Sequence, residues 1–133
     1  MEKKIFVITG EASGDILASK IMNYIDLKKV IVRGIIGPYL KDKGIDGPFE
    51  NKEITFFGII DVLRNILYIK KKIDQTVEYI EAFKPNIIFS VDSPDFAFQV
   101  INKIKKRKKI NTKFFHFVAP SIWAWRENRG KKI

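Results

Sequence analysis

With 133 residues, 46% of them hydrophobic and 13% aromatic, the chain is about one domain long and carries enough apolar material for a packed core. It has no cysteine and a single histidine, His116, which excludes a disulfide framework, a thiolate metal site and a histidine cluster, so zinc and redox chemistry are not expected. The formal charge of +10 suggests an anionic partner, but 20 of the 25 basic residues are lysine, the poorer phosphate fork, and a Lys-, Ile- and Asn-rich composition also follows from AT-rich coding, so both readings of the charge stand.

Lys4 to Thr9 is a β-branched apolar run ending at Gly10, the pattern of a buried strand. It is too short for the hydrophobic region of a signal peptide, and no segment approaches the ~20 apolar residues of a spanning helix, so the expected compartment is the cytoplasm. After the loop Gly10-Glu11-Ala12-Ser13-Gly14-Asp15, the spacing of Ile16, Leu17, Ile21 and Ile25 predicts a helix with Ser13 as its N-cap. The loop matches neither the P-loop nor the GxGxxG dinucleotide pattern. Its glycines suit either a tight turn or close approach to an anion at a helix N-terminus, and Asp15 suits the helix dipole.

Val30 to Ile36 reads as a second strand that ends at Gly37-Pro38, followed by a short helix from Tyr39 to Lys43. About fifty residues then intervene before the third strand, more than one crossover helix needs, so an extra element is expected there. Within them, Phe56 to Lys72 reads as a helix apolar around most of its circumference and ending in three lysines, with a second helix from Ile73 to Phe83 returning the chain to the sheet. Two uses fit: a core helix whose C-terminus is capped by cations, or a membrane contact. In the second, Phe56, Phe57, Ile60, Leu63 and Leu67 enter the interface and Lys70, Lys71 and Lys72 meet anionic head groups.

Asn86 to Val91 is the third buried strand, and Ser93-Pro94-Asp95 opens a helix running from Phe96 to Lys106 with a cap, a first-turn proline and a carboxylate on the dipole. Lys113 to Val118 is the fourth strand, and His116 within it reads as a hydrogen-bonded core histidine. Strands alternating with helices predict an α/β fold, a Rossmann-like parallel sheet with helices on both faces, and ligands at the carboxyl ends of its strands. There Asp92 stands directly after the third strand, as either a loop-capping aspartate or a general base of raised basicity. After the fourth strand, Ser121, Trp123, Trp125 and Arg126 fit either a core strand with an exposed edge or an aromatic wall for a sugar ring or acyl chain, with Arg126 on a phosphate.

Five segments, Gly10-Glu11-Ala12-Ser13-Gly14-Asp15, Phe57-Gly58-Ile59-Ile60-Asp61-Val62, Lys84-Pro85, Val91-Asp92-Ser93-Pro94-Asp95-Phe96 and Pro120-Ser121-Ile122-Trp123-Ala124-Trp125-Arg126, taken in this order resemble the lipid-A-disaccharide synthase family. The resemblance covers the whole chain but about the first third of the family's usual length. It implies a GT-B glycosyltransferase that joins UDP-2,3-diacylglucosamine to 2,3-diacylglucosamine 1-phosphate, lipid X, releasing UDP, without a metal or other cofactor.

By the same resemblance Asp92 is the general base, and the loop of Gly10, Glu11, Ser13, Gly14 and Asp15 binds substrate with Ser121, Trp123, Trp125 and Arg126. Ile60, Val62, Leu63, Ile66 and Ile69 contact the cytoplasmic face of the inner membrane. Residues 1–133 are then expected to be a truncated acceptor-side domain, with the UDP-sugar domain beyond Ile133, inactive alone and completed, if at all, by a separately encoded half. The competing expectation is a non-catalytic lipid- or membrane-binding module. Nucleic-acid binding through the basic run Lys103, Lys105, Lys106, Arg107, Lys108 and Lys109 is not expected, because no recognition motif accompanies the charge.

Overall fold

The computed structural model describes residues 3–10, 12–55, 65–91 and 94–117. In chain order these form β1 (Lys3–Thr9), α1 (Ala12–Met22), β2 (Val30–Ile35), α2 (Pro38–Asp42), α3 (Lys52–Thr55), α4 (Ile66–Phe83), β3 (Ile87–Val91), α5 (Pro94–Arg107) and β4 (Lys113–Phe117). The four expected strands build one parallel sheet in the order β2-β1-β3-β4. The fold is α/β and Rossmann-like.

Strand β1 lies inside the sheet, and its Phe6, Val7, Ile8 and Thr9 are all sealed from solvent. Alternation along the strand sends Phe6 and Ile8 to one face, where they meet Ile73, Val77 and Ile80 of α4 and Ala97, Val100, Ile101 and Ile104 of α5. Val7 goes to the other face, where Ala18 and Met22 of α1 and Leu40 of α2 cover it. Each fully buried Phe or Ile contributes roughly 1.5–3 kcal/mol. A strand clad on both faces therefore has to be apolar throughout, which is why Ile-Phe-Val-Ile does not alternate with polar residues.

Two expectations about helices need correction. Helix α1 begins at Ala12, so Ser13 is an exposed residue of its first turn rather than its N-cap. The lysines at 70–72 do not end a helix, and no second helix starts at Ile73: α4 is continuous from Ile66 to Phe83. Lysine is a good helix former, and the apolar stripe Ile69, Ile73, Val77 and Ile80 runs through the cluster without a break. The stop comes at Lys84, in the left-handed conformation at φ 54°, whose N–H is 2.8 Å from the Ile80 carbonyl, with Pro85 next.

The lysine cluster also divides. Lys70 and Lys71 are exposed, but Lys72 is 9% exposed, ion-paired with Glu53 of α3, and placed 4.4 Å from the Phe49 ring centroid. Its expected contact with head groups is therefore replaced by an internal tie between α3 and α4, because its position shares the buried stripe with Ile69, Ile73 and Thr76. The expected strands hold to within a residue at their described ends, and the short helix after β2 spans Pro38–Asp42 instead of Tyr39 to Lys43.

Candidate functional site at the carboxyl edge of the sheet

The loops singled out in the sequence leave neighbouring strands at one edge. Thr9 at the end of β1 pairs with Val91 at the end of β3, and Val91 pairs in turn with Phe117 at the end of β4. The carboxyl ends of β1, β3 and β4 thus lie side by side.

The connection out of β1 uses α1 on one face, and the connection out of β3 uses α5 on the other. Where successive connections leave a parallel sheet to opposite faces, their loops diverge and open a crevice between the strands. Here that switch lies between β1 and β3. A tight packing contact joins its two sides: an added Cβ on Gly14 would be 3.1 Å from the Val91 carbonyl oxygen and 3.7 Å from the Cβ of Thr9.

Asp15 follows Gly14 and has no exposed surface. One carboxylate oxygen accepts hydrogen bonds from the backbone N–H of Gly37 at 3.0 Å and Leu40 at 3.2 Å, and the other accepts from Tyr39 N–H at 2.8 Å. The carboxylate thus caps the start of α2 from a distance of more than twenty residues in sequence, and both oxygens work inside the protein. A Cβ on Gly37 would fall 2.6 Å from this carboxylate, so only glycine permits the approach.

Two polar residues that sequence reasoning did not single out fix the same edge. Thr9 donates its hydroxyl to the Ile35 carbonyl at 2.8 Å and accepts from the Asn51 side-chain amide at 3.0 Å, while Asn51 N–H donates to the Ile36 carbonyl at 2.8 Å. Both residues are buried. A threonine closing an otherwise apolar strand was a readable signal; Asn51, inside a long connection, offered none. His116 is hydrogen-bonded as expected, through Nδ1 to the Ser90 hydroxyl, and packs against the rings of Phe98 and Phe114.

Of the residues named for the site, Gly10 and Gly14 are buried at the β1 edge, Ser13 is exposed, and Asp15 is the internal cap. Glu11, Asp92, Ser121, Trp123, Trp125 and Arg126 lie outside the described residues, as do Phe56, Phe57, Ile60, Val62 and Leu63 of the apolar segment. At the start of α4, Ile66 and Leu67 are 60% and 80% exposed, Ile69 packs toward the core, and Lys70 and Lys71 are exposed. No helix among the described residues is long and apolar enough to cross a membrane.

The family model described as lipid-A-disaccharide synthetase matches residues 5–133. Among curated proteins, the lipid-A-disaccharide synthase of Rickettsia bellii is 39% identical over 132 residues, covering 98% of this chain and 34% of the relative. The synthase of Ruegeria pomeroyi is 33% identical over 132 residues, 98% of this chain and 32% of its own. That of Actinobacillus pleuropneumoniae is 35% identical over 131 residues, 97% and 33% respectively. The chain therefore spans about a third of the length of the curated relatives it matches.

Proposed function

Because the chain belongs to the lipid-A-disaccharide synthase family, we propose that it forms the N-terminal, acceptor-side domain of a GT-B glycosyltransferase of lipid A biosynthesis. The observation that carries the proposal is the family match over residues 5–133, on a sheet whose switch point lies between β1 and β3. The substrates are UDP-2,3-diacylglucosamine and lipid X.

In this reading Asp92 takes the proton of the acceptor's 6-hydroxyl as that oxygen bonds to the donor's anomeric carbon. The bond from that carbon to the UDP oxygen breaks, and the electron pair leaves with UDP. The glycine loop at the start of α1 offers backbone N–H groups to an anionic part of the substrate, and Glu11 and Ser13 are further substrate contacts of this reading. Ser121, Trp123, Trp125 and Arg126 are the further substrate contacts of this reading. In this reading donor binding falls to the part of the relatives beyond the aligned third, and residues 1–133 are expected not to turn over alone.

The substrates are acylated, and the domain works on a membrane surface as a peripheral protein on the cytoplasmic face. Ile66 and Leu67 supply exposed apolar area, and Lys70 and Lys71 supply charge toward anionic head groups. Phe56, Phe57, Ile60, Val62 and Leu63 extend the same contact.

A radiolabelled transfer assay tests the proposal, run with this chain alone and with a chain corresponding to the remaining two thirds of a relative. Disaccharide from the pair only, abolished by Asp92→Asn with vesicle binding retained, is the expected result. Turnover by the chain alone would overturn the domain assignment, and vesicle binding without turnover in either case would favour a lipid-binding module.

A further inference from the structure

At the opposite pole of the sheet, where the strands begin, a cleft of about 420 Å³ opens between the last turn of α5 and the start of β4. One strand length, about 16 Å for the five residues of β4, separates this pole from the carboxyl edge. The volume falls in the ordinary range of small-molecule sites. Its floor is apolar, made by Ile101, Ile104, Ile110 and Phe114, and its rim carries Lys105 and Lys108 with no carboxylate in the lining.

Three further observations give the cleft chemical direction. Among the described residues, Asp74 pairs with Lys103 and Glu81 with Arg107, and neither Lys105 nor Lys108 has an acidic partner. Thr112, also in the lining, has a buried hydroxyl with no hydrogen-bond partner, and such a group calls for an explanation in a native fold. Lys108 adopts the left-handed conformation at φ 52° while its N–H bonds the Ile104 carbonyl at 3.1 Å, which closes the helix end. The negative end of the α5 dipole is worth about half a charge, less than the two ammonium groups beside it.

An apolar trough with a cationic rim and an orphan hydroxyl matches one ligand chemistry. We propose that this cleft binds a single-chain anionic amphiphile, its alkyl chain on Ile101, Ile104, Ile110 and Phe114 and its carboxylate or phosphate between Lys105, Lys108 and the Thr112 hydroxyl. The site is separate from the carboxyl edge and from the exposed start of α4.

The test is an NMR titration of isotope-labelled full chain with dodecyl phosphate below its micelle concentration. Saturable, one-to-one shifts of the Ile101, Ile104 and Ile110 methyls and the Lys108 and Thr112 amides are expected, with inorganic phosphate and dodecyl maltoside leaving those methyls in place. The double variant Lys105→Gln, Lys108→Gln should weaken binding at least tenfold. Thr112→Val, which removes the orphan hydroxyl without changing shape, should weaken it several-fold while the fold is kept. Equal shifts with inorganic phosphate would overturn the proposal in favour of a bare anion site. Shifts of the Lys105 and Lys108 amides with a single-stranded oligonucleotide, but no methyl shift with dodecyl phosphate, would overturn it in favour of a polyanion surface. Shifts confined to residues 66–71, or affinities unchanged in both variants, would also overturn it.

Discussion

Gly14 of α1 and Val91 of β3 meet so closely that a Cβ on the glycine would stand 3.1 Å from the valine carbonyl oxygen. Alanine at position 14 gains about 1 kcal/mol of helix propensity over glycine. Overpacking against a backbone that cannot move freely costs about 1–3 kcal/mol, and Val91 is sealed in the sheet. Gly14→Ala should therefore be net destabilising by about 1 kcal/mol in urea unfolding. A stabilised variant would mean that the end of β3 yields.

Asp15 holds three backbone N–H groups from inside the protein. Asparagine keeps the shape but has one acceptor oxygen, and its amide would face donors. Asp15→Asn should lower stability by about 2–4 kcal/mol, read from the urea midpoint, since hydrogen bonds to a charged acceptor are worth about 1.5–3 kcal/mol each. An unchanged midpoint would remove the cap from its structural role.

The divided lysine cluster makes opposite predictions for neighbouring residues. Lys70→Gln with Lys71→Gln should weaken binding to anionic vesicles about fivefold per lysine and leave the unfolding midpoint alone. Lys72→Gln, which strands Glu53 and vacates the Phe49 ring, should lower stability by about 1–2 kcal/mol with vesicle affinity retained. Co-sedimentation and urea titration on the same proteins separate the two effects.

Tyr79 is held above its ordinary phenol range, mainly by burial and further by Asp46, against the pull of Arg33. An unfolded chain loses this proton near pH 10, and the folded chain keeps it longer. The unfolded state then binds fewer protons, so stability falls as pH rises above about 10. Tyr79→Phe should flatten that alkaline decline, measured by thermal unfolding from pH 8 to 11.

Much of this was legible in the residues. Runs such as Lys-Ile-Phe-Val-Ile-Thr and Asn-Ile-Ile-Phe-Ser-Val have one stable use, a strand buried on both faces, and Ser93-Pro94-Asp95 announced a helix that does begin at Pro94. The pattern misleads at the lysine triplet, where like charges resemble a helix end but α4 runs through them. Charge alone does not stop a helix; a left-handed residue followed by proline does, and Lys84-Pro85 supplied that stop.

Local pattern by itself determined the strands, the positions of the helices after β1, β2 and β3, and the edge at which the loops open, though not the length of α4, because periodicity and turn residues act over a few positions. Only the tertiary structure decided what individual polar groups do there. Asp15 looked like the dipole partner of its own helix and became the cap of another, Lys72 left its two neighbours for Glu53, and Asn51 closed the end of β1 from forty-two residues away. A buried hydrogen bond is set by which donors packing brings within about 3 Å, and that proximity is a property of the assembled sheet rather than of any segment.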